Sequence, residues 1–126
     1  MKRNIIVRTQ FAGVHLWADA PDVVGYLRSQ HRHVFNIEAK ISVDHNDREL
    51  EFIMVKAEID KFMQEYIEAK KQQVTRPEEL NLGSCEMMCE YLIEKLTEKY
   101  GNRDYTIRVF EDNENGGEVI VERGIE

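Results

Sequence analysis

The stretch from His31 to Val43 constrains this chain more than any other. Strand side chains alternate between two faces. One face here carries His31, His33, Phe35, Ile37, Ala39, Ile41 and Val43; the other carries Arg32, Val34, Asn36, Glu38, Lys40 and Ser42. Only Val34 breaks the separation of apolar from polar. The pattern predicts a long strand with one buried and one solvated face. Two imidazoles sit at one end of the buried face, one residue apart. At that spacing a strand can offer two nitrogens to one metal ion.

The rest of the chain is short enough to be built around this strand. Its 126 residues suit a single domain, 1–126, with one core. With 33% charged and 42% hydrophobic residues, a soluble globular chain is expected. The net charge of -7 argues against a general binder of nucleic acid or anionic membranes, which needs a basic patch. A small anionic ligand in a local pocket is still compatible with it. No apolar run approaches the roughly 20 residues that span a bilayer. Met1-Lys2-Arg3-Asn4 leads straight into a strand pattern without a secretory apolar segment. Cys85 and Cys89 are four apart on an expected helix, a poor disulfide pair, so a reduced, cytoplasmic setting is the simpler reading.

Ile5 to His15 reads as a first strand whose better core face, Ile5, Val7, Thr9, Phe11 and Gly13, ends in a third histidine, His15. Pro21 suits the first position of a short helix running to about Arg28. After the long second strand, Asp44-His45-Asn46-Asp47 forms a turn cluster. Arg48 to about Phe52 reads either as a short strand or as the approach to a helix. Val55, Ile59, Phe62, Met63, Tyr66 and Ile67 share one helical stripe and predict a helix over 55–72. Ser84 suits the N-cap of a second helix with Cys85, Met88, Cys89, Leu92, Ile93, Leu96 and Tyr100 on its apolar stripe, and Gly101 suits its end. Tyr105–Glu111 and Glu118–Glu122 close the chain as two strands. Strands and helices are segregated, which predicts α+β with an antiparallel sheet.

Three of these strands carry polar groups on the presumed core face: His15, then His31 and His33, then Glu111. A buried imidazole or carboxylate costs several kcal/mol unless it is paired or bound to metal. A lone histidine there is most simply a satisfied core residue; three gathered at neighbouring strand ends form a catalytic-type zinc set with a fourth position open. Iron, copper or nickel suit the same nitrogens. Glu111, if inward-facing, can accept hydrogen bonds from the N–H edge of a heterocycle; otherwise it is a solvated strand end. His45 reads as an exposed turn residue, and Cys85 and Cys89 as helix core. Trp17 and Tyr26 either flank the cleft or cover the core.

The layout resembles the 6-pyruvoyltetrahydropterin synthase and 6-carboxytetrahydropterin synthase family, which adopts the tunnelling fold. Phe11-Ala12-Gly13-Val14-His15 resembles the family's Phe-x-Ala-Ala-His, and His31-Arg32-His33 its His-Gly-His; together these supply three zinc ligands. Glu51-Phe52 with Val55-Lys56 resembles Asp-Phe-x-x-Leu-Lys, Ser84-Cys85-Glu86 resembles Pro-Thr-x-Glu, and Val109-Phe110-Glu111 resembles the Val-x-Glu that anchors the pterin ring. The resemblance implies an antiparallel four-stranded sheet with two long helices on one face. It implies subunits joined edge to edge into a barrel, as a trimer or hexamer, with ligands at subunit boundaries. It also implies zinc on His15, His31 and His33, and substrate contacts from Glu111, Ser84 and Phe35.

Departures accompany the resemblance. Leu27 stands where the family has its catalytic Cys, four residues before the first motif histidine. No Leu-Asp-His follows the first helix, and Arg32 replaces Gly. General acid and base groups are each typically worth about 10² to 10⁴ in rate, so the usual reaction needs a substitute, for which Cys85, His45 and Glu86 are the candidates. The expected function is a divergent zinc-dependent 6-pyruvoyl- or 6-carboxytetrahydropterin synthase-like lyase acting on a pterin or purine-type substrate. The alternative is an inactive binding protein that sequesters a pterin, purine or nucleotide. A structural oligomer without ligand is the third reading.

Overall fold

The computed structural model describes residues 1–124; residues 125 and 126 of the expected domain lie outside the described residues. Four strands, β1 (Arg3–His15), β2 (His31–Val43), β3 (Tyr105–Glu111) and β4 (Gly116–Val121), form one antiparallel sheet in chain order. Two helices, α1 (Phe52–Lys71) and α2 (Cys85–Tyr100), lie between β2 and β3 in sequence. They pack on the same face, α1 over β1 and α2 over β3 and β4. Short 3₁₀ segments occupy Asp22–Arg28 and Pro77–Glu79. The chain is α+β, as the segregation of strands and helices predicts.

The alternation in β2 is realised end to end. Phe35, Ile37, Ala39 and Ile41 are fully buried and meet Tyr105, Ile107 and Val109 of β3 in the same core. From above come Val55, Ile59 and Met63 of α1 and Met88, Cys89, Leu92 and Leu96 of α2. Each fully buried aliphatic side chain contributes about 1.5–3 kcal/mol. The opposite sheet face exposes Ile6, Val34 and Ile120 beside a row of charges: Arg8 pairs with Glu38 at 2.9 Å, Glu38 with Arg108 at 3.3 Å, and Arg108 with Glu118 at 2.6 Å. One ion-pair ladder thus crosses all four strands.

Boundaries differ from expectation where a side chain intervenes. α1 starts at Phe52, three residues early, because Glu51 acts as its N-cap and accepts from the N–H groups of Ile53 and Met54. That resolves the 48–52 alternative: no strand forms there, and Arg48 takes a left-handed φ of 56° before the helix. Pro21 is extended and precedes the 3₁₀ segment instead of opening an α-helix. That segment buries no side chain and is clamped by Arg28, which donates to Asp22 and to the Ala20 carbonyl. β4 begins two residues early, at Gly116, in register with Phe110. Ser84 caps α2 by accepting from Met87 N–H, and Gly101 ends it at φ 91°, both as the sequence predicts.

Candidate metal centre

The antiparallel register of β1 and β2 sets His15 opposite His31, and Gly13 opposite His33. The odd faces of both strands point to the helices, so all three imidazoles meet at one end of the core. Ring centroids are 4.5 Å apart for His15 and His31, and 5.1 Å for each of the other two pairs. One ring nitrogen from each lies within 4.8 Å of the other two. Among the described residues this is the one cluster of His, Cys, Asp and Glu with metal-site geometry.

The hydrogen bonds select which nitrogens these are. His15 Nδ1 lies 2.9 Å from the Gly83 carbonyl, His31 Nδ1 2.9 Å from the Ser29 carbonyl, and His33 Nδ1 2.7 Å from Asp112 Oδ2. Carbonyl and carboxylate oxygens only accept, so each Nδ1 carries the proton. Each Nε2 is left with its lone pair, the form that binds metal. The hydrogen bond to His33, followed by that from Val34 N–H, also holds the Asp112 carboxyl below the usual carboxylate range.

Glu111 completes the electrostatics. The β2–β3 register sets it opposite Phe35. Its two oxygens approach His15 Nε2 at 3.3 Å and His33 Nε2 at 3.4 Å. A carboxylate facing two nitrogen lone pairs is repulsive unless a proton or a metal cation lies between them. The donor set therefore fits a divalent cation on chemical grounds. Three neutral imidazoles with an open fourth position are the composition of a catalytic zinc site.

The centre lies at the edge of a cleft of about 640 Å³, lined by Trp17, Leu27, Lys70, Ser84, Cys85, Glu86 and Glu111 among others. Cys85 S–H points at Glu111 Oε1, 3.9 Å away. Burial, reinforced by the charges of Glu111 and Glu86, pushes its thiol up to about 11. Ser84 is at the cleft wall, its oxygen engaged as the α2 cap. Glu86 also lines the cleft, lying over Gly117, where a Cβ would sit 2.5 Å from Glu86 Oε1. Trp17 is half exposed in the cleft wall and Tyr26 is exposed, so neither covers the core.

Two expected site residues fall elsewhere. Phe35, expected to touch substrate, is fully buried beneath the histidines. Its ring packs edge-on to His15 and His33 and stacks on Phe11 at 5.3 Å. It supports the imidazoles and offers no surface to a ligand. His45, a candidate proton-transfer group, lies past the opposite end of β2, which carries the chain about 33 Å from His33 to Val43 at about 3.3 Å per strand residue. There it accepts from Asp47 N–H, so it cannot serve this centre from within the same chain.

Sequence reasoning missed Asp112, Ser29 and Gly83, because two act through backbone carbonyls and the third sits in a turn. The signal for Asp112 was available: an Asp-Asn pair directly after a strand is turn chemistry that tolerates left-handed backbone. Gly83 has φ 86°, a conformation that favours glycine. Asn81 anchors its loop by accepting from the N–H groups of Leu16 and Gly83.

An antiparallel sheet backed by two helices carries three convergent histidines and a carboxylate at one sheet end, a constellation with the geometry to hold a metal ion. Residues 4–121 match the family model described as 6-pyruvoyl tetrahydropterin synthase, and the chain belongs to that family. A comparison with curated proteins returns no match. No helix among the described residues is long and apolar enough to cross a membrane.

Proposed function

We propose that this chain is a divergent zinc-dependent protein of the 6-pyruvoyl- or 6-carboxytetrahydropterin synthase type that acts on a pterin or purine-like heterocycle. The observation that carries the reading is the convergence of His15, His31 and His33 with every Nδ1 already committed to an acceptor. These three residues would hold the zinc, and Glu111 would hold the ring. Zinc, when bound, supplies Lewis-acid polarisation of substrate oxygens.

The residues around it divide the remaining work. Glu111, one-third exposed at the cleft, accepts from the N–H edge of the heterocycle. Ser84 keeps the start of α2, and with it Cys85 and Glu86, at the cleft wall. Cys85 is a neutral thiol at physiological pH, a proton donor and not a ready base or nucleophile. Trp17 and Leu27 give the ring an apolar wall. The two free cysteines suit a reducing, cytoplasmic setting.

A second reading is favoured by Leu27: this cleft residue can move no proton, and Cys85 is held in the wrong protonation state to replace a base. In that reading the pocket sequesters a pterin, purine or nucleotide without turnover. Elemental analysis with native mass spectrometry tests both, by giving the metal and any carried ligand together. About one zinc per chain and chelator-sensitive turnover of dihydroneopterin triphosphate support the enzyme. Zinc with retained heterocycle and no turnover supports the binder. A chain that takes up neither metal nor heterocycle overturns both.

A further inference from the structure

The chain leaves β3 at Glu111 and reverses at once. Asp112 and Asn113 both have left-handed backbone, with φ of 53° and 58°. Glu114 N–H donates to the Glu111 carbonyl at 2.9 Å. This is the backbone of a type I′ turn, whose central positions favour Asn, Asp and Gly. Turn chemistry alone would explain an aspartate at 112.

Its side chain makes contacts that the turn does not require. Asp112 N–H donates to the Val34 carbonyl at 2.7 Å, and Asp112 Oδ1 accepts from Val34 N–H at 2.9 Å. The residue is thereby locked to β2 by its backbone and its side chain together. The second oxygen, Oδ2, is then delivered to His33 Nδ1 at 2.7 Å. His15 and His31 are held by neutral backbone carbonyls. Of the three Nδ1 atoms, that of His33 is the one held by an anion.

We propose that Asp112 is the positioning residue of the metal centre: the turn aims its carboxylate at His33, fixing that ring with its proton on Nδ1 and Nε2 free to bind metal. The inference rests on reading the three histidines as a metal set. A carboxylate on the far nitrogen of a metal-binding histidine raises its basicity and fixes its orientation, and losing such a partner typically costs about 10- to 100-fold in metal affinity.

Two variants separate this role from turn formation. Asp112→Asn keeps a turn-compatible residue and the acceptor for Val34, but sets an NH₂ donor against Nδ1, so His33 must move its proton to Nε2. Asp112→Gly keeps the turn and removes the anchor. Zinc affinity of the full chain is measured by chelator competition, and the His33 tautomer of the metal-free chain by ¹⁵N NMR. The expected result is a loss of about 10- to 100-fold in Asp112→Asn, a smaller loss in Asp112→Gly, and a shift to the Nε2–H tautomer in Asp112→Asn. Unchanged affinity and tautomer in both variants, beside a zinc-binding wild type, overturn the role of Asp112 alone. A wild-type chain that binds no zinc overturns the metal reading, and this proposal with it.

Discussion

Leu27 and Cys85 carry the question of turnover at the scale of single residues. Burial holds the Cys85 thiol up to about 11, so about one molecule in ten thousand carries the thiolate at pH 7. Iodoacetamide should therefore label native Cys85 slowly at pH 8 and much faster as the pH approaches 11; rapid labelling at pH 7 would contradict the buried, acid-flanked setting. Glu111→Gln should leave zinc binding largely intact and weaken heterocycle binding. A hydrogen bond to a charged acceptor is worth about 1.5–3 kcal/mol, roughly tenfold to a hundredfold in affinity, readable from the fluorescence of a bound pterin. Loss of zinc together with the ligand would instead make Glu111 a ligand of the ion. Part of this scale is legible in the sequence: strand parity puts the three histidines on one face, whereas it leaves Glu111 open between an inward-facing carboxylate and a solvated strand end. Phe35 shares that parity yet lies underneath the site, because depth below a surface depends on what packs above a strand.

Between strands and helices, fit is decided by small residues and caps. A Cβ at Gly116 would stand 2.1 Å from the Val109 carbonyl oxygen and 2.8 Å from Phe110 Cα. Both neighbours are backbone and cannot swing aside, so Gly116→Ala should break the β3–β4 pairing. The expected destabilisation is about 1–3 kcal/mol or more, measured by urea unfolding; a wild-type midpoint would refute the close approach. Ser84→Ala removes the cap of α2 and should cost about 1 kcal/mol by the same assay. It should also loosen Cys85 and Glu86 at the cleft. The ends of β2 and α2 could be read from sequence, since alternation, a Ser cap and a terminal Gly are local signals. The start of α1 could not, because Glu51 caps with a longer side chain than the usual Ser, Thr, Asp or Asn.

For the molecule as a whole, the open question is the two sheet edges. Among the described residues, β1 and β4 each have one side without a strand partner, and β1 runs for 13 residues. Long exposed edges are a liability that closure removes. Native mass spectrometry is therefore expected to find a homo-oligomer, in trimers or multiples of them; a stable single subunit would refute closure. At the far end from the three histidines, Arg103 ties Glu49 to the Ser42 carbonyl. The hydrogen bond from Arg103, then that from Asp44 N–H, holds the Glu49 carboxyl below its ordinary value of 4.5. Its folded pKa is depressed, so its contribution to stability is complete above 4.5 and is lost as pH falls through the lower folded value. Melting temperatures of Glu49→Gln should thus converge with wild type in acid and diverge above pH 5. By itself the sequence determined the alternation of the strands, the pairing of His31 with His33 on one face, and the caps of α2, because each depends on neighbours a few residues away. Tertiary structure alone decided that His15 lies across from His31, and that the Gly83 carbonyl and Asp112 meet imidazoles 68 and 79 residues distant in the chain. Strand register and turn geometry set those distances, and neither is written in the spacing of the residues they join.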